Sequence, residues 1–155
     1  MADGKRLVLR GVNVAAYSDD ETDSVEQMLR LTSEDDYRKI AAEGFNCVRL
    51  NLWATALRSE GGWEWLDQQR AWAASHSLYL ILDMRAPPGG FQGPEYEGSF
   101  WSDPALQEHT IELWKEIVRR INGDPTIYLF ATSMAAIVVL SGSRGPALVA
   151  RPPAE

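Results

Sequence analysis

Apolar residues in this chain follow two rhythms, short runs and helical stripes, which take turns from one end toward the other. "RLVLRGVNV" (Arg6–Val14) is a short, β-branched apolar run and predicts a first strand. A polar stretch follows, "AAYSDDETDSVEQMLRL", long for a connection and so a place for function or a small irregular element. "SEDDYRKIAAEG" then reads as a helix. Ser33 and Asp36 form a capping-box start, Tyr37, Ile40 and Ala41 share a face, and Gly44 supplies the stop.

"FNCVRLNLW" (Phe45–Trp53) predicts a second strand. "GWEWLDQQRAWAASHS" predicts a helix with Leu66, Gln69 and Ala73 on one side and Trp65 and Trp72 at its flanks. "LYLILDM" (Leu78–Met84) is a continuous apolar run of the kind buried on both faces of a parallel sheet. A Gly/Pro-rich loop leads to the strongest helical pattern, "SDPALQEHTIELWKEIVRRINGDP". Asp103 is its N-cap, Pro104 sits in the first turn, and Gly123 ends it. Leu106, Thr110, Leu113, Ile117 and Ile121 make the inward stripe, and "TIYLFA" is a fourth strand.

Strands separated by crossover helices imply an α/β fold with a parallel sheet, and right-handed crossovers leave few topologies. The glycine-rich dinucleotide turn is missing after the first strand, where the chain reads "RGVNVAAY". A (β/α) barrel is favoured over an open doubly wound sheet. A whole barrel takes about 250 residues; these 155 residues suit a (βα)4 half-barrel.

Composition narrows the partners. Hydrophobic residues are 45% and charged residues 24%, a globular balance. A net charge of −7 with no basic stripe disfavours nucleic acid. No run reaches membrane-spanning length and no signal-peptide stretch opens the chain, so a cytoplasmic location is expected for the sequence as written. Cys47 is the one cysteine, which rules out an intrachain disulfide and suits a small buried hydrophobe. His76 lies at a helix end, where a cation complements the helix dipole, and His109 faces outward. Neither has a second ligand at metal spacing, so neither metal nor cofactor is expected. "SGSRG" lacks the leading glycine of a nucleophile elbow, and "PPGG" lacks the Lys-Ser/Thr of a phosphate loop.

Four segments, "LRGVNV", "GFNCVRLNLW", "LYLILDMRAPPGGFQG" and "FWSDPALQEHTIELWKEIVRRINGDPTIYLF", in that order, resemble the N-terminal half of family-5 glycoside hydrolases. The resemblance runs from about Leu7 to Phe130. It implies an ancestry in hydrolysis of β-glycosidic bonds in glucans or β-glucosides, by relatives that are often secreted. Arg49 stands where the family places an active-site arginine. Asp83 is kept at the end of the third strand, while Arg85 replaces the usual histidine. Met134, Ala135 and Ala136 occupy the places of Asn-Glu-Pro on the fourth strand, so the general acid/base is missing. The family's nucleophile, on the seventh strand, would lie beyond Glu155.

The candidate catalytic residues are therefore Arg49, Asp83 and Arg85. Arg49 either meets a sugar hydroxyl or pairs with Asp83 on the neighbouring strand. Trp53, Phe91, Tyr96 and Trp101 are candidate substrate-binding aromatics, since they lie on or after strand C-termini, where barrel enzymes build their sites; ordinary packing is the alternative. Glu95 and Glu97 read as a solvated turn.

Residues 1–130 form the expected half-barrel domain and 131–155 a divergent apolar tail. Retaining hydrolysis needs two carboxyl groups about 5–5.5 Å apart. Without them the chain is expected to be inactive or very weak, and the alternative is a non-catalytic protein that binds sugar or self-associates. The unpaired strand edges of a half-barrel predict a homo-oligomer, a dimer or larger.

Overall fold

The computed structural model describes residues 7–14, 31–88 and 99–132. Nine elements follow one another: β1 (Gly11–Val14), α1 (Glu34–Ala42), β2 (Cys47–Trp53), α2 (Ala54–Arg58), α3 (Gly62–Ser75), β3 (Tyr79–Ala86), α4 (Ser99–Ser102), α5 (Pro104–Ile121) and β4 (Ile127–Thr132). The strands form a single four-stranded sheet in the order β1-β2-β3-β4, all parallel. An open doubly wound sheet reverses its strand order at a switch point. This one does not, and it is the expected half-barrel.

Side-chain alternation along the strands divides the sheet into two faces. Val48, Leu50 and Leu52 of β2 and Leu80, Leu82 and Met84 of β3 are all buried and join one cluster with Tyr37, Trp65, Leu66, Leu113, Trp114 and Ile117 from the helices. Each such side chain contributes about 1.5–3 kcal/mol relative to exposure. Arg49, Asn51 and Asp83 fall in the opposite phase, on the face that a complete barrel turns inward. Leu66, Gln69 and Ala73 are buried as expected, and so is Trp65. On α5 the inward stripe is Thr110, Leu113, Trp114, Ile117 and Ile121; Leu106, one turn earlier, is only half-buried. Trp114 adjoins Leu113 and Ile117 and widens the stripe beyond a single row.

The helix ends follow their sequence signals. The Asp36 carboxylate accepts hydrogen bonds from the Ser33 N–H (2.9 Å) and hydroxyl (2.8 Å). Asp103 accepts from the Ala105 N–H at 2.9 Å, and Gly44 leaves α1 at φ 81°. β1 is shorter than expected, because a side chain does part of its pairing. Asn46 accepts the Arg10 N–H at 2.8 Å and donates to the Val8 carbonyl at 3.0 Å. The short helices α2 and α4 were not expected, each being too brief to show a period. Gly62 opens α3 where a Cβ would lie 2.3 Å from the Ala56 carbonyl oxygen, so close packing against α2 demands glycine.

Polar links fix the helices to one another. The buried Tyr37 hydroxyl donates to Gln69 Oε1 at 2.8 Å, and burial raises the Tyr37 pKa. Arg120 reaches Asp67 at 2.7 Å, while Arg70 bridges Asp67 (2.8 Å) and Asp124 (2.6 Å), tying α3 to α5 and to the start of β4. β4 runs to Thr132, two residues past Phe130.

Candidate functional site

The neighbouring strands β2 and β3 bring Arg49 and Asp83 together, the arginine near the middle of β2 and the aspartate past the middle of β3. Asn51 is in register with Asp83, and Arg49 with Ile81, so the arginine reaches diagonally, one strand step up. Its Nη2 donates to Asp83 Oδ2 at 2.7 Å; the Asp83 side chain is 0% exposed and that of Arg49 42%. Of the two roles open to Arg49, the ion pair is present, and the arginine side chain stays partly exposed.

Arg85 lies two residues on and is exposed. Between the pairs Leu52↔Met84 and Trp53↔Ala86, β3 carries one residue more than β2, and that residue is Arg85. A bulge of this kind re-aims a side chain at a strand end. Arg85 therefore stands one side-chain step beyond Asp83 on β3 yet outside the regular ladder.

The aromatic candidates divide. Trp53 ends β2 and is only 5% exposed, packed in the core, so its ring is covered by protein. Phe91 and Tyr96 lie outside the described residues, as do Glu95, Glu97, Met134, Ala135 and Ala136. Trp101 falls within α4, but its side chain is not among those described. His76 caps the C-terminal end of α3, with Nε2 3.7 Å from Glu34 Oε1, and His109 is exposed. Cys47 is buried, which raises its thiol pKa.

Asn51 was missed. It is 5% exposed, beside Asp83 in register, and the period-two step from Arg49 puts it on the same face. Among the strand residues described, Asp83 is the one carboxylate. The site is thus an arginine, an amide and a single paired carboxylate. It can donate and accept hydrogen bonds, but among the described strand residues no second carboxyl group is present to share acid and nucleophile roles. Among the described residues no group of three His, Cys, Asp or Glu could hold a metal ion. None of their helices is long and apolar enough to cross a membrane.

No protein-family model matches the chain. Over 132 residues it is 26% identical to cellodextrinase A of Ruminococcus flavefaciens, an alignment taking in 81% of this chain and 39% of that protein. Over 103 residues it is 34% identical to the probable glucan 1,3-beta-glucosidase A of Emericella nidulans, with 59% of this chain and 25% of that one aligned. The chain resembles part of a glycoside hydrolase. It spans well under half the length of these curated relatives. A solved glycoside hydrolase superposes with a TM-score of 0.66 at 15% identity, covering 81% of this chain and 41% of that one. That likeness is one of fold, and it places the four-stranded sheet as about half of a TIM barrel. In TIM-barrel enzymes the C-terminal strand ends carry the site; here Asn51 and Asp83 lie toward that end and Arg85 at it, with Arg49 mid-strand.

Proposed function

We propose that this chain is a half-barrel of family-5 glycoside hydrolase ancestry that recognises β-linked glucose units at the C-terminal end of its sheet and does not hydrolyse them. The observation that carries the reading is the Arg49–Asp83 pair, which commits the one described strand carboxylate to an arginine. A retaining glycosidase needs one carboxyl group to protonate the leaving oxygen and another to attack the anomeric carbon. By the resemblance, Ala135 stands where the first would be.

The exposed guanidinium of Arg49 and the side chain of Arg85 donate to sugar hydroxyls, and Phe91, Tyr96 and Trp101 supply apolar contact for the ring faces. Trp53 supports from within the core. Affinity is expected in the millimolar range, about −4 kcal/mol. Calorimetric titration with cellobiose tests this: saturable heat that Arg49→Ala abolishes supports binding, and its absence from the unmodified chain overturns it.

A second reading, hydrolysis of a glucan or β-glucoside, has its own support in the names of two sequence relatives, a cellodextrinase and a probable glucan 1,3-beta-glucosidase. It requires a relocated acid. Turnover of an aryl β-glucoside that Asp83→Ala abolishes would establish it over binding alone.

A further inference from the structure

The four strands carry three charged residues: Arg49 on β2, and Asp83 and Arg85 on β3. Their charges do not cancel. The Asp83 side chain is wholly buried, and its single negative charge is matched by Arg49 at 2.7 Å. Arg85 is left over. It is exposed toward the C-terminal end of β3, and among the described residues no hydrogen bond or ion pair engages it.

Strands of a parallel sheet are usually covered on both faces and read as apolar runs. A cation without a partner is foreign to such a strand. The register explains how it is accommodated: Leu52 pairs with Met84 and Trp53 with Ala86, so Arg85 has no residue opposite it on β2. The bulge thus frees a guanidinium at the end of the sheet where TIM-barrel enzymes take their substrates.

Guanidinium chemistry narrows the ligand. A neutral sugar hydroxyl accepts one hydrogen bond and leaves the positive charge unanswered, whereas a carboxylate matches the planar fork with two parallel bonds. The whole chain carries a net charge of −7, so its long-range field repels anions. Any preference for an anionic ligand must therefore arise from local contact. The smallest change that makes a β-linked glucose unit anionic is oxidation of its hydroxymethyl group to a carboxylate, which keeps the ring and the linkage.

We infer that the strand-end site takes an acidic sugar, a β-linked glucuronic acid unit whose carboxylate lies against Arg85. The inference rests on the sugar-binding reading above and names the ligand class within it. Calorimetric titration with cellobiose and with cellobiouronic acid isolates the carboxylate, because the two sugars differ in that group alone. The acid should bind the unmodified chain about five- to tenfold more tightly at low salt. Arg85→Ala should weaken the acid more than cellobiose and bring the two within about twofold of each other. Equal affinities in the unmodified chain, or a preference that survives Arg85→Ala, overturn the inference and leave the sugar-binding reading standing. Heat from neither sugar overturns that reading and the inference with it. Should Arg85→Ala fail to fold, salt decides on the unmodified chain: at about 1 M sodium chloride, where the Debye length is about 3 Å, the preference should shrink, and a preference untouched by salt overturns the inference.

Discussion

Asp83 and Arg49 meet at 2.7 Å across one diagonal step of the sheet, with the carboxylate wholly buried and the guanidinium partly in solvent. The asymmetry matters for what each substitution does. Arg49→Leu leaves a buried carboxylate without its cation, while Asp83→Leu leaves an arginine that can turn toward water. We expect Arg49→Leu to cost about 2–3 kcal/mol, less than a fully buried pair because Arg49 is 42% exposed. The double variant Arg49→Leu/Asp83→Leu should recover part of that loss. Urea unfolding of all four proteins measures the coupling, and strict additivity would show that the pair is energetically idle.

The Asp124 link between β4 and α3 makes a prediction about acid. Burial pushes the Asp124 pKa up, but the Thr126 N–H and the Arg70 guanidinium outweigh it and hold the carboxyl below its ordinary 3.8. A folded-state pKa below the unfolded value means that its stabilising contribution is complete above the unfolded pKa and is lost as pH falls through the folded one. The unmodified chain should therefore lose more stability than Asp124→Asn on going from neutral pH to below about pH 4. Urea midpoints for the two at each pH provide the check. Parallel curves would mean that the Arg70–Asp124 contact contributes nothing to acid sensitivity.

Gly62 sets helix propensity against space. Alanine is better than glycine inside a helix by about 1 kcal/mol. Here the new Cβ would stand 2.3 Å from the Ala56 carbonyl oxygen and 2.5 Å from that of Leu57, both main-chain atoms. Backbone cannot swing aside as a flexible side chain can, so overpacking should win, at about 1–3 kcal/mol net destabilisation. A thermal melt of Gly62→Ala at or above the parent would show that α2 yields easily.

The strand order and the helix stripes were legible because each rests on a period that many residues share, as in Val48, Leu50 and Leu52 against Leu80, Leu82 and Met84. The ion pair was legible as one of two options, since Arg49 and Asp83 lie on neighbouring strands. Asn51 was not, because an amide in an apolar run carries no charge signal until the register sets it beside Asp83. The bulges that isolate Arg85 and Tyr128 were also hidden: each depends on how two strands slide past one another, which neither strand's own sequence states. Trp53 shows the reverse difficulty. A tryptophan at a strand C-terminus suits a sugar platform and a core equally well in sequence, and its 5% exposure places it in the core.

Catalysis supplies the last prediction. General acid/base assistance typically contributes 10²–10⁴-fold, and a retaining glycosidase also needs a carboxylate nucleophile about 5–5.5 Å away. By the resemblance, Ala135 stands in place of the acid and Arg85 in place of a histidine, and the described strands offer Asp83 as their one carboxylate, already paired with Arg49. Freshly purified chain should therefore give no measurable release of nitrophenol from an aryl β-glucoside and no cleavage of cellooligosaccharides. Ala135→Glu combined with Arg85→His should not restore retaining turnover, because the added acid still needs a carboxylate nucleophile and Asp83, the one carboxylate on the described strands, is held by Arg49. Added azide separates this from a merely weak enzyme. A small external nucleophile can rescue a glycosidase that has its acid but lacks its nucleophile, so Ala135→Glu/Arg85→His with azide should form glycosyl azide slowly while the unmodified chain forms none. Turnover by the unmodified chain that disappears in Asp83→Ala would overturn this account and make Asp83 the acid.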